Sequence, residues 1–137
     1  MRVRYDEVDR MGVVHHSHYL DYFEQGRTEL LRSLGRTYRD VEESGTLLVV
    51  AAVEVRFLRP ARYDDLLTVR TRAGEVSGAR LVFEYEVDRA SDGVRIATGK
   101  TVLASTDLRG KLVRMPPDLL ALIEGKPADP TTVQSRS

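Results

Sequence analysis

The chain contains no cysteine. Its absence excludes a thiolate nucleophile, thiolate metal ligands and a disulfide framework, and fits a reducing compartment. Lysine is scarce too: Lys100, Lys111 and Lys126 are the only ones among 21 basic residues. The rest are arginines, a bias to which no functional weight attaches. An excess of either charge is missing, since 21 acidic residues balance the 21 basic ones. No overall field therefore draws the protein to nucleic acid or to an anionic membrane. Long apolar runs are absent as well: nothing approaches the ~20 residues needed to span a bilayer, and Met1 to Asp9 is charged rather than apolar. A cytoplasmic protein with no membrane partner is expected. At 137 residues the chain fits one domain, burying roughly 70% of its unfolded surface, and needs no disulfide or metal to fold.

What is present has a clear order. Arg2 to Glu7 alternates as a short strand would, with Asp6 and Glu7 as solvated strand residues, and Asp9-Arg10-Met11-Gly12 reads as a turn. From about His18 to Leu34 the period becomes helical: Tyr19, Tyr22, Phe23, Gly26, Leu30 and Leu34 recur at three- and four-residue steps. Ser17 is the expected N-cap and Gly35 the expected stop. After a linker around Tyr38 to Gly45 the period drops to two. Val53, Val55 and Phe57, then Leu67, Val69 and Thr71, then Leu81, Phe83, Tyr85 and Val87 alternate with polar residues, and a last strand runs from about Val94 to Asp107. Ser77-Gly78 and Ser91-Asp92-Gly93 supply hairpin turns. One long helix must then cover one face of an antiparallel sheet, which predicts an α+β domain over residues 1–125. The Pro-, Thr- and Ser-rich residues 126–137 read as a disordered tail.

Several residues invite chemistry. Asp9 in its turn is either a local cap for backbone N–H groups or a reactive carboxylate. His15, His16 and His18 could converge on a metal, but the sequence offers no further well-spaced ligand, so no metal is expected. Ser17 among these histidines lacks the surroundings of a nucleophile elbow, and an N-cap role explains it. Glu24 and Glu29 are helical carboxylates, read first as solvent-facing.

The block Val3 to Leu20, centred on Asp9-Arg10-Met11-Gly12-Val13-Val14-His15-His16, resembles the signature of the 4-hydroxybenzoyl-CoA thioesterase family. Phe57 to Asp65 is similar to that family's strand end and Tyr-Asp-Asp turn, and Asp107 to Pro116 to its last hairpin. Together these blocks cover about residues 1–120. The resemblance implies a hotdog fold, an antiparallel sheet of about five strands round the long helix, assembled as a homodimer or homotetramer. It implies an acyl-CoA substrate, no cofactor, Asp9 as the catalytic carboxylate and the His16 backbone N–H as the group that polarises the thioester carbonyl. Gly12 would shape the turn, Leu48 would line the acyl pocket, and Arg59, Arg62 and Arg80 would meet the CoA phosphates. Glu24 is the reserve carboxylate, because a related hotdog branch uses a helical one. The alternatives left open are an acyl-carrier-protein thioesterase, a dehydratase and a non-catalytic acyl-CoA-binding module.

Overall fold

Helix α1 (His18–Ser33) forms where the helical stripe predicts it. Tyr19, Tyr22, Phe23, Leu30 and Leu31 are buried along one face, each contributing about 1.5–3 kcal/mol of apolar transfer. The helix stops in a Schellman arrangement: Gly35 has φ +83°, its N–H donates to Arg32 O and that of Arg36 to Leu31 O. Ser17 holds the N-cap position without capping: its backbone is already helical, and its hydroxyl meets His15 Nδ1 at 2.8 Å instead.

The computed structural model describes residues 1–124 and the backbone of 131–134. After α1 come α2 (Tyr38–Glu43), β1 (Leu47–Phe57), β2 (Leu67–Ser77), β3 (Arg80–Arg89), β4 (Arg95–Thr106), α3 (Pro117–Glu124) and β5 (Thr131–Gln134). The strands form one antiparallel sheet in the order β1-β4-β3-β2-β5. Turns at Gly78 and Gly93, both with positive φ, join β2 to β3 and β3 to β4. Leu67, Val69, Leu81, Phe83, Tyr85 and Val87 face inward and are buried, as their alternation requires. On the outer face, Arg72, Glu84, Lys100 and Glu54 stand side by side across four strands, a solvated row of alternating charge.

Two glycines let helix and sheet approach closely. A Cβ on Gly26 would come 2.2 Å from Thr71 Oγ1, and one on Gly99 would come 2.2 Å from the ring of Phe23. Phe23 lies flat over Tyr85, with ring centroids 4.3 Å apart and planes 12° apart. The Tyr85 hydroxyl is tied to Thr101 at 2.7 Å in the same buried layer.

Three expectations need correction. Arg2 to Glu7 is not a sheet strand: Arg2 makes one isolated bridge to Leu66, and Tyr5–Glu7 closes a 3-10 turn. The Glu7 carboxylate caps that turn by accepting the Arg4 N–H at 2.8 Å, a backbone group that a strand would have paired with a neighbour. The linker after α1 contains α2, whose Thr37–Asp40 capping box fixes a helix too short to show a stripe. The fifth strand is therefore β5 rather than the N-terminal segment. Of the expected tail, 126–130 and 135–137 lie outside the described residues, and 131–134 is β5 itself.

Candidate active site

Asp9 opens a tight reversal between the isolated pair Val8 and Val14. Its N–H donates to Val13 O at 2.8 Å and its carbonyl accepts from Gly12 N at 3.0 Å. Its Oδ1 accepts from Met11 N at 2.8 Å and, at the edge of bonding distance, from Val13 N at 3.4 Å. Gly12 sits at φ +76°, a left-handed conformation that costs other residues about 1–2 kcal/mol. The whole turn is docked on the segment after β1, through Val14 N to Ala61 O at 2.8 Å and a Val13–Arg62 bridge. That segment is held in turn by the Tyr-Asp-Asp corner, where Asp64 N donates to Val3 O and Val3 N to Asp65 O, both at 2.9 Å. The first two sequence blocks singled out by resemblance thus meet around one point, while the third folds back on the other end of β4, through the Thr106–Leu112 bridge and Val113 N to Ser105 O.

After the turn the chain enters α1 through His15, His16 and Ser17. His18 N donates to His15 O at 3.1 Å and Tyr19 N to His16 O at 3.3 Å. The His16 N–H takes no acceptor among the described residues. It stands just ahead of a 16-residue helix, where the unpaired N–H groups and the macrodipole together favour negative charge. The imidazoles of His15 and His16 lie 4.1 Å apart, and His16 meets Phe57 edge-on at 6.4 Å.

Asp9 and His16 line the same open cleft, of about 360 Å³, with Val13, Val14, Tyr19, Phe57, Leu58, Arg59 and Pro60. Its wall is mostly apolar, with one carboxylate, imidazoles and one guanidinium set into it. Tyr19 packs edge-on to Phe57 at 5.2 Å. Burial, and then the charge of Asp65, pushes its hydroxyl up to about 12, so it stays neutral at physiological pH. On its other side Asp9 borders a second hollow with Tyr5, Arg10 and Tyr63. Within hydrogen-bonding range of protein groups only one Asp9 carboxylate oxygen is used; Oδ2 has no partner among the described residues.

The remaining expected site residues divide sharply. Arg59 lines the cleft and Arg62 adjoins it through the Val13 bridge. Leu48 and Arg80 do not share it within one chain. Phe57 pairs with Ala97, and Ala97 with Val87, whereas Arg80 pairs with Ala104 at the other end of β3, roughly 24 Å away at about 3.4 Å per residue. Leu48 pairs with Ser105 at that same far end and is half-buried against the core. Glu24 is exposed on α1 and lines none of this cleft. Among the described residues no three histidine or acidic side chains are grouped to hold a metal ion. Glu7, read as solvated, is 5% exposed and packs under the turn; its spacing from Arg4, three residues as in a capping box, was the available signal.

Among the described residues one edge of the sheet is unpaired and apolar. β1 is outermost, and Val49, Val50, Val53 and Phe57 on it are exposed, followed by Leu58. No helix among the described residues is long and apolar enough to cross a membrane.

Comparison with known proteins agrees with this layout. A family model described as the thioesterase-like superfamily matches residues 3–123. The acyl-CoA thioesterase YbgC of Haemophilus influenzae is 40% identical over 113 residues, which is 82% of this chain and 81% of that protein. A chloroplastic acyl-acyl carrier protein thioesterase of Arabidopsis thaliana is 31% identical over 85% of this chain and 61% of its own length. The crystal structure of a DHNA-CoA thioesterase from Staphylococcus aureus superposes with a TM-score of 0.84 at 29% identity, covering 90% of this chain and 85% of that one. With its helix-wrapping antiparallel sheet and a match along nearly its whole described length, the chain belongs to the thioesterase-like superfamily, as a hotdog-fold thioester hydrolase.

Proposed function

We propose that this protein hydrolyses the thioester of a fatty or aromatic acyl-CoA to the free acid and CoA, with Asp9 as the catalytic carboxylate. The observation that carries the reading is the shared cleft: an Asp9 oxygen with no protein partner and the free His16 N–H border one apolar hollow. Hydrolysis needs those two elements, a group that activates or replaces water and a donor for the charge that develops on the carbonyl oxygen. As general base, Asp9 takes a proton from water as the oxygen attacks the carbonyl carbon. The C–S bond then breaks, and the proton passes to the departing CoA thiolate. As nucleophile, an Asp9 carboxylate oxygen attacks the carbonyl carbon instead, the C–S bond breaks to release CoA thiolate, and water cleaves the resulting anhydride, regenerating the Asp9 carboxylate and supplying the proton that the thiolate takes up. In both routes the His16 N–H holds the oxyanion, a donor whose loss typically costs ~100- to 1000-fold in rate. Gly12 keeps the turn tight enough for Asp9 to reach the cleft, and Arg59 and Arg62 at its rim attract the CoA phosphates.

The catalytic domain is residues 1–125, and its working form is a homo-oligomer, cytoplasmic in location, with no cofactor. One observation supports assembly through β1, and one consequence would follow from it. An exposed apolar edge strand is a ready template for pairing. Antiparallel pairing of β1 with a second copy also brings the Leu47–Leu48 end of that copy beside Phe57, so that Leu48 joins the acyl pocket across the interface. Arg80 of the second copy is carried toward the same side.

The test is CoA release, followed with a thiol reagent, over short-chain, long-chain and aromatic acyl-CoAs. Turnover of one class identifies the acyl group. No release from any, with hydrolysis of an acyl-carrier-protein thioester instead, would move the reading to the carrier-protein reaction that the Arabidopsis relative's name describes.

A further inference from the structure

Among the described residues Glu7 is the one carboxylate buried near the proposed site, 5% exposed, and the reaction outlined above gives it no task. A buried carboxylate persists only where hydrogen bonds and charges compensate its lost hydration. Here they come from two sides. From its own turn, the Arg4 N–H donates to Oε1 at 2.8 Å, and Arg4 Nε lies 3.6 Å from the same oxygen. From α1, His18 Nδ1 lies 3.8 Å from Oε2. Tyr22, one helical turn further along, has a buried hydroxyl whose ionisation is suppressed first by burial and then by the charge of Glu7. A third link is made by the backbone, since the Glu7 carbonyl accepts from His15 N at 2.9 Å.

The chain positions of these links matter more than their number. Glu7 precedes Asp9 by two residues, and His15 and His18 flank His16. The carboxylate and carbonyl of one residue therefore join the arm that carries the proposed nucleophile or base to the turn that carries the proposed oxyanion donor. Between those two arms the loop makes only the Val8–Val14 bridge and the bonds of the Asp9 turn itself. Asp9 and His16 are both exposed, whereas the Glu7 side chain that bridges their two arms lies buried beneath them.

We infer that Glu7 is a positioning residue for thioester hydrolysis: its buried carboxylate, spanning Arg4 N and the first turns of α1, sets the separation of Asp9 from the His16 N–H. This rests on the site reading above. Misplacing a reacting group by about 1 Å costs on the order of 100-fold, so the length of the side chain matters more than its charge. Glu7→Gln keeps an oxygen at Arg4 N and the full reach to His18. Glu7→Asp keeps the charge but is one methylene too short to span both.

The experiment compares wild type, Glu7→Gln, Glu7→Asp and Asp9→Asn in the CoA-release assay, well below each protein's melting temperature. Expected are a Glu7→Asp kcat at least ~10-fold below wild type with KM within about threefold, and a Glu7→Gln kcat restored to within about threefold. A role in stability alone would lower Tm and leave the kcat of the folded fraction unchanged. If Asp9→Asn is inactive while Glu7→Asp keeps the wild-type kcat, or if Glu7→Gln is as slow as Glu7→Asp, the positioning role is overturned and the site reading stands. If Asp9→Asn keeps its rate, the site reading fails and this inference fails with it.

Discussion

Asp9 Oδ1 accepts the backbone N–H of Met11 at 2.8 Å, while Asp9 Oδ2 has no partner among the described residues. The side chain is thus both the turn-former that a lone Asp in such a loop suggests and a carboxylate with one oxygen available for chemistry. The two roles separate by substitution. Asp9→Asn keeps an oxygen for Met11 N and should leave Tm within about a degree of wild type. Asp9→Ala removes that acceptor and should lower stability by roughly 1 kcal/mol. Thermal unfolding of both variants checks the division; equal losses would mean that the Met11 bond is not what holds the turn.

Close packing of α1 on the sheet depends on Gly99. Gly99→Ala places a methyl group 2.2 Å from the Phe23 ring, and overpacking of this kind typically costs about 1–3 kcal/mol. A fall in Tm of several degrees is expected. The double variant Gly99→Ala with Phe23→Leu should lose less than the two single losses added, because the smaller side chain vacates the clash. Additive losses in denaturant unfolding would show that the methyl group meets something else.

Stability should fall in alkaline solution. Burial is the first cause holding both the Tyr19 and the Tyr38 hydroxyls up to about 12, against an ordinary 10. The folded state therefore keeps protons that the unfolded chain has released, and that stabilisation, complete below pH 10, is lost as pH rises from 10 toward 12. Urea midpoints measured from pH 8.5 to 11.5 should decline across the upper part of the range, and less steeply in Tyr38→Phe. A flat profile would mean that these hydroxyls ionise as freely folded as unfolded.

Assembly through β1 predicts that a charge on the apolar edge is disruptive. Val50 and Val53, each more than 40% exposed, lie on its open side of the sheet order. Val53→Lys should shift the protein toward monomer in sedimentation equilibrium, and the monomer should lose activity with Leu48 no longer supplied from across the interface. An active monomer would leave the one-chain cleft sufficient by itself.

Periodicity made the frame of this fold legible. The stripe from Tyr19 to Leu34 and the alternations from Val53 to Val87 found α1 and three strands, because each element buries one continuous face. Glycine in the turns at Gly78 and Gly93 fixed the two hairpins. The N-terminal segment departs from expectation because alternation over six residues is too short to separate a strand from a 3-10 turn capped by its own glutamate. The burial of Glu7 is illegible in the sequence for a related reason: it depends on Arg4, His18 and Tyr22, brought together only by the fold. At the site, Asp9, His16 and Arg59, marked by their motifs, line one cleft, and Gly12 lies in the Asp9 turn beside it with its positive φ. Leu48 and Arg80 lie at the far end of the sheet from the cleft, a separation that depends on strand pairing and that no local motif reveals. The helical spacing of Tyr19 predicts core, and it is core that also forms the cleft wall.

The most direct test of the central claim is the steady-state rate of CoA release by Asp9→Asn beside wild type on the best acyl-CoA of the panel. A general base contributes typically 100- to 10,000-fold, so the expected result is a kcat at least ~100-fold lower, with Tm and KM little changed. A variant that folds normally and turns over at a near-normal rate would contradict the account, and would leave Asp9 as the former of its turn and nothing more.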